Sequence, residues 1–262
     1  MADFTLRRAA ESDRRQIIGI WQESFGDSEE FIAGMLDSGL MAAAVGAEKD
    51  GRLRSVMFAF DGLRRDGESF SYLYALCTEK SYRSLGLGKA VTHFAAEEAL
   101  GRGADAVFLR PADSGLEAWY AASMGAEVMT RYAAQTVFVS PSASRKAEAI
   151  SSREYPSLRR GSDWEIPEAL LLAQELGHRH FGGAFLRCSG GIVCAEKQEN
   201  GVLVREMLSS SPALALAETA AFFSVSELHI IRKSDSGSAL MLISRKNCGK
   251  KPETEVMPFT LD

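Results

Sequence analysis

Between Met41 and Cys77 the chain twice breaks extended, apolar sequence with an Asp-Gly pair, Asp50-Gly51 and Asp66-Gly67. Both residues of a tight two-residue hairpin need a positive φ, which Asp and Gly tolerate, so each pair predicts a hairpin. MAAAVGAE and RLRSVMFAF are joined across the first, and Leu63 to Arg65 and SFSYLYALC across the second. The result is an antiparallel meander. Its last run is almost continuously apolar from Phe70 to Cys77, the pattern of a strand covered on both faces, which puts it in mid-sheet.

Helices flank the meander. From Ser12 the residues Ile17, Trp21 and Phe25 form one apolar stripe that ends at Gly26-Asp27, and Glu29 to Leu36 reads as a second, short helix. After the loop EKSYRSLGLG, a helix from about Lys89 to Leu100 is stopped at Gly101, and the apolar strand AVFLRP follows. Strand, crossover helix and strand in this order predict a parallel pair. Ser114 and Glu117 have capping-box spacing and predict a helix over GLEAWYAAS, with strand material from Glu127 to Val139.

With 262 residues the chain is about 1.7 typical domains long, which fits one large domain or two modest ones. Residues 140–162 are rich in Ser, Ala and charge and poor in large apolar groups, so they are expected to connect two domains. Beyond them the earlier order of elements returns in shortened form: a helix in IPEALLLAQELG, strands broken at Gly190-Gly191 and Asn200-Gly201, and strand GVLVREML. A helix from Pro212 to Phe223 capped by Ser211, strand ELHIIRK and strand ALMLISR complete it.

Composition removes several functions. A net charge of -5 supplies no overall positive field for nucleic acid or an anionic membrane. MADFTLRRAAESD lacks the apolar core of a signal peptide and no run is long enough to span a bilayer, so a cytoplasmic protein is expected. Cys77, Cys188, Cys194 and Cys248 make no CxxC pair and read as free thiols. His93, His178, His180 and His229 have no metal-binding spacing, so no metal is expected. No G-x-S-x-G elbow supports hydrolase chemistry.

The informative segment is TEKSYRSLGLGKA, between the buried strand and a helix. Backbone N–H groups at a helix start bind anions, and glycine lets a phosphate approach the main chain. A Walker loop fails because Arg83 stands at its first glycine and Ala90 follows Lys89; a dinucleotide fingerprint fails because Val91 takes its third glycine. What remains is R-x-x-G-x-G at Arg83, Gly86 and Gly88.

This motif and its setting resemble the GNAT superfamily of acyl-CoA-dependent N-acyltransferases, whose loop is [QR]-x-x-G-x-[GA]; WYAASMGAEV is similar to the family's FYxxxGF segment. The resemblance covers residues 3–139 and suggests the tandem type with a degenerate second module. It implies a mixed α/β fold of the α+β kind, a GNAT-like sheet flanked by helices, with a catalytic acetyl-CoA-binding domain over 1–139, a linker over 140–162 and a shortened GNAT-like domain over 163–262. The second copy has only three serines where the cradle would be, so it is not expected to bind acyl-CoA.

Acetyl-CoA is then the implied cosubstrate. The main chain of Leu76, Cys77 and Thr78 would pair with the pantetheine arm, and Arg83, Ser84, Leu85, Gly86, Leu87, Gly88 and Lys89 would hold the pyrophosphate. The implied reaction is transfer of an acetyl group to a primary amine of a small molecule or peptide by direct attack on the thioester. A lysine-like amine is protonated at pH 7 by about 3.4 pKa units, so a base or water chain must take its proton. Tyr120 matches the family's general acid for the thiolate. Candidates for the base are Glu79, Asp27, Glu29, Glu30 and the terminal carboxylate of Asp262. Met124-Gly125-Ala126 departs from the family's Gly-Phe, and a strand glutamate is missing, which leaves open an acyl-CoA sensor that has lost catalysis. A Fem-type ligase, which uses aminoacyl-tRNA, is disfavoured by the acidic balance and the clear cofactor loop.

Overall fold

A computed structural model describes residues 4–142, 147–159 and 162–246. In chain order the strands and α-helices are β1 (Thr5–Arg8), α1 (Arg14–Phe25), α2 (Glu29–Asp37), β2 (Val45–Lys49), β3 (Arg52–Arg65), β4 (Glu68–Thr78), α3 (Leu87–Gly101), β5 (Ala106–Leu109), α4 (Ser114–Met124) and β6 (Glu127–Phe138). They continue with β7 (Glu148–Ile150), α5 (Tyr155–Leu158), α6 (Glu168–Phe181), β8 (Gly183–Cys188), β9 (Gly191–Gln198), β10 (Gly201–Ser209), α7 (Pro212–Phe223), β11 (Glu227–Ser234) and β12 (Ser238–Arg245).

The expected meander is present. Asp50 and Gly51 have φ of 54° and 71°, and Asp66 and Gly67 have 51° and 81°, so both connections are the positive-φ turns that match strand twist. The caps differ from the expectation by one position. Asp113 rather than Ser114 caps α4, its carboxylate accepting from the Leu116 N–H at 2.8 Å. Ser211 sits at the start of α7 with no side-chain cap bond; Pro212 fixes that turn. The strand β1 carried no signal in the sequence because its four residues, TLRR, neither alternate nor cluster apolar groups.

The chain divides into two compact units, and both are discontinuous or offset from the expected segments. Among the described residues the first comprises 4–129 with 239–246, and the second 130–238. The first unit's strands pair in the order β1, β2, β3, β4, β5, β12, with β4 parallel to β5 and the other pairs antiparallel. In the second, β7, β8, β9, β10, β11 and β6 follow one another, and β10 runs parallel to β11. The two strands at the ends of these lists are exchanged in sequence. β6, which follows β5 and α4 in the chain, pairs with β11; β12, which follows β11, pairs with β5.

Two sequence boundaries therefore differ from the structure. The stretch proposed as a linker, 140–162, contributes β7 and a buried Tyr155 to the second unit, where Tyr155 and Arg159 both bond the Glu206 carboxylate, at 2.8 Å and 2.7 Å. Its polar composition concealed a role in an internal ion-pair network. The last strand, ALMLISR, belongs to the first unit: Ala239 and Met241 join the apolar cluster of β2, β3, β5 and α3.

Each unit has its own core. In the first, one face of the sheet packs Val45, Met57, Ala59, Leu73, Val107 and Leu109 against Leu87, Val91 and Ala95 of α3. The other face is aromatic: the Trp21 ring of α1 lies 5.2 Å from Phe58 and 5.9 Å from Tyr74, and the Tyr72 ring lies 5.5 Å from Phe108. The second unit buries Leu186, Val193, Val204, Leu228 and Ala215.

Candidate active site

The site begins with a defect in β4. Val56 pairs with Cys77 and Phe58 with Tyr74, so two steps along β3 match three along β4, and Ala75 takes the bulge with a φ of 52°. A left-handed alanine inside a strand costs about 1 kcal/mol or more, and the bulge re-aims everything after it. The parallel pairing of β4 with β5 stops just before, at Leu73 and Leu109. Beyond that pair β5 has ended while β4 runs on to Thr78.

The direction of each peptide in the last turn of β4 follows from the ladder. The Glu79 N–H donates to the Arg54 carbonyl at 2.9 Å, and antiparallel bonds recur every second residue, so Cys77 spends its N–H and C=O on Val56. Ser55, fully buried, also donates to the Cys77 carbonyl at 3.0 Å. The peptide groups of Leu76 and Thr78 consequently point the other way, toward the open side. Arg83 Nε takes the Thr78 carbonyl at 3.0 Å, which leaves the Leu76 groups and the Thr78 N–H facing the gap.

Next along the chain is a 3-10 turn, Lys80–Tyr82, and then a run of exposed residues from Arg83 to Gly86. Ser84 and Gly86 are both left-handed, with φ of 62° and 86°, an alternation that turns successive N–H groups into one concavity. The first bond of α3 is donated by Ala90 to Gly86, at 3.0 Å. The N–H groups of Leu87, Gly88 and Lys89 precede it and have no acceptor within the helix, while the dipole of a fifteen-residue helix adds partial positive charge there. This is an anion cradle. Arg83 and Lys89 are exposed beside it.

The two glycines serve different ends. Gly86 is required by its φ; a Cβ at Gly88 would meet only Leu76 Cδ2 at 3.5 Å and Thr78 Oγ1 at 3.7 Å, ordinary contacts. The fold does not need glycine at 88, and without a Cβ the position leaves room for a ligand to approach the main chain.

Tyr120 lies on α4 and is 5% exposed, in the same apolar cluster as Leu73, Leu109 and Leu87. Leu73 and Leu109 are the last paired residues of β4 and β5, and Leu87 opens α3, so Tyr120 stands at the end of that pairing on the α3 side of the sheet. The Trp119 ring is edge-on to it at 4.8 Å. Burial pushes the Tyr120 hydroxyl up to about 12, so it stays protonated through any working pH.

The base candidates separate. Glu79 is paired with Arg54 at 2.7 Å, and Glu29 and Glu30 are exposed on the first turn of α2. Asp27 is half-buried on the opposite face from Tyr120: it accepts from the Trp21 indole at 2.7 Å, and its charge opposes ionisation of both Tyr74 and Cys77. Burial dominates at Cys77, whose thiol is held neutral. Asp262 and Cys248 lie outside the described residues. His93 is exposed, and His178 is buried in the second unit beside Gln174 at 3.1 Å and Cys194 at 3.7 Å, with its pKa lowered to about 4 by burial. Among the described residues no group of three or more His, Cys, Asp and Glu side chains could hold a metal, and no helix is long and apolar enough to cross a membrane.

Sequence reading missed Ala75, Ser55 and Arg54. An alanine in an apolar run gives no sign of a bulge, and residues on a neighbouring strand acquire their role only through register.

Residues 5–126 match the model of the acetyltransferase (GNAT) family, and this segment belongs to the GNAT superfamily, enzymes of acyl-CoA-dependent acetyl transfer. The fold is similar to that of a GCN5-related N-acetyltransferase from Kribbella flavida, at 13% identity and a TM-score of 0.67, covering 92% of this chain and 71% of that one. It is also similar to a GCN5-related N-acetyltransferase from Anabaena variabilis, at 14% identity and a TM-score of 0.64, covering 92% and 72%. A putative acetyltransferase from Pyrococcus horikoshii matches over 99% of this chain and 96% of its own, at 14% identity and a TM-score of 0.59. No curated protein matches the chain.

Proposed function

We propose that the first unit transfers the acetyl group of acetyl-CoA to a primary amine of a small molecule or peptide, and that the second unit is a degenerate copy without a cofactor site. The observation that carries this reading is the open N-terminus of α3 after the glycine loop, beside the end of β4, which runs on to Thr78 while β5 ends at Leu109.

The N–H groups from Ser84 to Lys89 hold the pyrophosphate, with Arg83 and Lys89 adding charge. The Leu76 groups and the Thr78 N–H pair with the pantetheine arm as an added strand would. The Leu76 N–H, just past the bulge, is aimed where a thioester oxygen gains charge, a use for a fixed backbone donor. An ammonium group is held by the Asp27 carboxylate and loses a proton to it or to water beside it. The amine lone pair then attacks the thioester carbon, the nitrogen gives up a second proton to water, the C–S bond breaks, and the sulfur takes the bonding electrons and a hydrogen bond or proton from Tyr120. The products are an N-acetyl amide and free CoA thiol.

In the second unit the corresponding loop has spent its amides internally: the Ser210 N–H donates to the Gly190 carbonyl at 3.1 Å and the Ser211 N–H to Ser209 Oγ at 3.0 Å. Titration calorimetry with acetyl-CoA is therefore expected to give one site per chain. Gly88→Ala should weaken that binding by about tenfold or more, as its Cβ enters the ligand's path, with thermal stability unchanged. Two sites, or unaltered affinity in the variant, would contradict the assignment. Free-thiol release over a panel of primary amines then identifies the acceptor.

Asp27→Asn is expected to lower kcat/KM for the amine by about 10- to 100-fold with the KM for acetyl-CoA unchanged, because the carboxylate meets only the acceptor. Equal acceptor kinetics in variant and parent would remove Asp27 from the site.

A further inference from the structure

Arg54 lies on the strand paired with β4, and its side chain is engaged by residues of the turn that follows β4. It stands on β3 opposite Glu79, its carbonyl takes the Glu79 N–H at 2.9 Å, and its Nη1 donates to the Glu79 carboxylate at 2.7 Å. Its guanidinium carbon lies 4.5 Å from the centroid of the Tyr82 ring, and the side chain is largely buried. Those two partners bracket the 3-10 turn Lys80–Tyr82 that leads into the cradle.

The same turn is fastened from other directions. The Tyr82 N–H donates to the Glu79 carbonyl at 2.8 Å, Ser81 Oγ to the Glu79 carboxylate at 3.3 Å, and the Lys80 N–H to the Glu23 carboxylate of α1 at 2.8 Å. Tyr82 packs on the cluster that contains Leu87, the first residue of α3. An Arg with a carboxylate on one side and an aromatic face on the other is fixed in one orientation more firmly than a lysine would be. Ser84, two residues after Tyr82, must hold a left-handed conformation that serine adopts only at a cost, so the entry to the cradle has to be held in place.

We propose that Arg54, through Glu79 and Tyr82, is a positioning residue that pre-forms the phosphate cradle, and that Glu79 serves this clamp instead of taking a proton from the amine. The inference rests on the cradle being the acetyl-CoA site. A loop left to adopt its bound shape on its own must be ordered at each binding event, so losing the clamp weakens cofactor binding and leaves the chemical step intact.

Steady-state kinetics and calorimetry on the full chain separate the alternatives. Arg54→Gln is expected to raise both the KM and the Kd for acetyl-CoA by about tenfold, with kcat at saturation within about twofold of the parent. Glu79→Gln, nearly isosteric, should do the same more weakly and keeps the test open should Arg54→Gln fold poorly. Arg54→Lys should recover part of the loss, and the double variant should bind no worse than Arg54→Gln, because the two residues act as one unit. A fall in kcat at saturating acetyl-CoA for Glu79→Gln, with KM unchanged, would assign it to proton transfer and overturn the proposal. Unchanged KM in both single variants would overturn it too. If Gly88→Ala raises the KM while these two do not, only the clamp is lost; if Gly88→Ala is also silent, the cradle reading fails with it.

Discussion

Tyr120→Phe is expected to lower kcat by about 10- to 100-fold and to leave the KM for acetyl-CoA within about twofold, as read by thiol release at saturating amine. General acids contribute typically about 10²- to 10⁴-fold, and the reason to expect an effect at or below the bottom of that range is the hydroxyl's weak acidity. Burial pushes it up to about 12, whereas an ordinary thiol sits near 8.5. Complete proton transfer from one to the other is uphill by about 3.5 pKa units, or about 5 kcal/mol. In the proposed reaction Tyr120 therefore acts chiefly by donating a hydrogen bond as charge builds on sulfur, and solvent completes protonation of the departing CoA. The raised value also means that the hydroxyl does not ionise below pH 10, so no alkaline fall in kcat arises from it. The ring remains in Tyr120→Phe, and the apolar cluster around it is kept. Unchanged kcat in that variant would remove the assignment.

A chain ended after Ser238 is expected to lose acetyl-CoA binding and to unfold its first unit, although all the residues of the proposed site lie before Thr130. β12 supplies the neighbour of β5: Met241 pairs with Leu109, Leu242 with Phe108, and Arg245 with Ala106. Ala239, Leu240 and Met241 are buried, Arg245 bonds Glu68 at 2.9 Å, and the Lys246 N–H donates to the Asp105 carbonyl at 2.9 Å. Burying Leu240 and Met241 alone is worth about 3 to 6 kcal/mol, and the strand adds backbone bonds to a sheet edge that would otherwise be open. A whole domain is stable by only about 5 to 15 kcal/mol, so the loss takes most of it. The same truncation with residues 238–246 supplied as a separate peptide should restore part of the cofactor binding measured by calorimetry. A truncated chain that binds acetyl-CoA with parental affinity would show β12 to be dispensable.

The readable part of this protein is local. The two Asp-Gly turns, the stripe Ile17, Trp21 and Phe25, the stop at Gly101 and the loop with Gly86 and Gly88 are properties of neighbouring residues, since turn torsions and helix caps depend on side chains within a few positions. The parallel pairing of β4 with β5 was legible too, because a crossover helix leaves little choice. Leu76 and Thr78 were identified together with Cys77, and only the register on β3 separates them: Cys77 is turned inward to Val56 and Ser55, while its neighbours face the gap. Glu79, Asp27 and Glu29 look alike in the sequence; Arg54 and Trp21, distant in the chain from at least one of them, tell them apart.

The sequence by itself determined most of the order of elements and the glycine-bearing turn at the head of α3, because these rest on short-range backbone preferences and on glycine at defined positions. The tertiary structure alone decided where the units end. β6 and β12 are both amphipathic strands able to close a sheet beside a short parallel partner, and nothing in either segment's own residues names which partner it takes. Strand pairing is a choice among distant edges, made by the packing of Ala239 and Met241 into a core whose other members lie more than a hundred residues away.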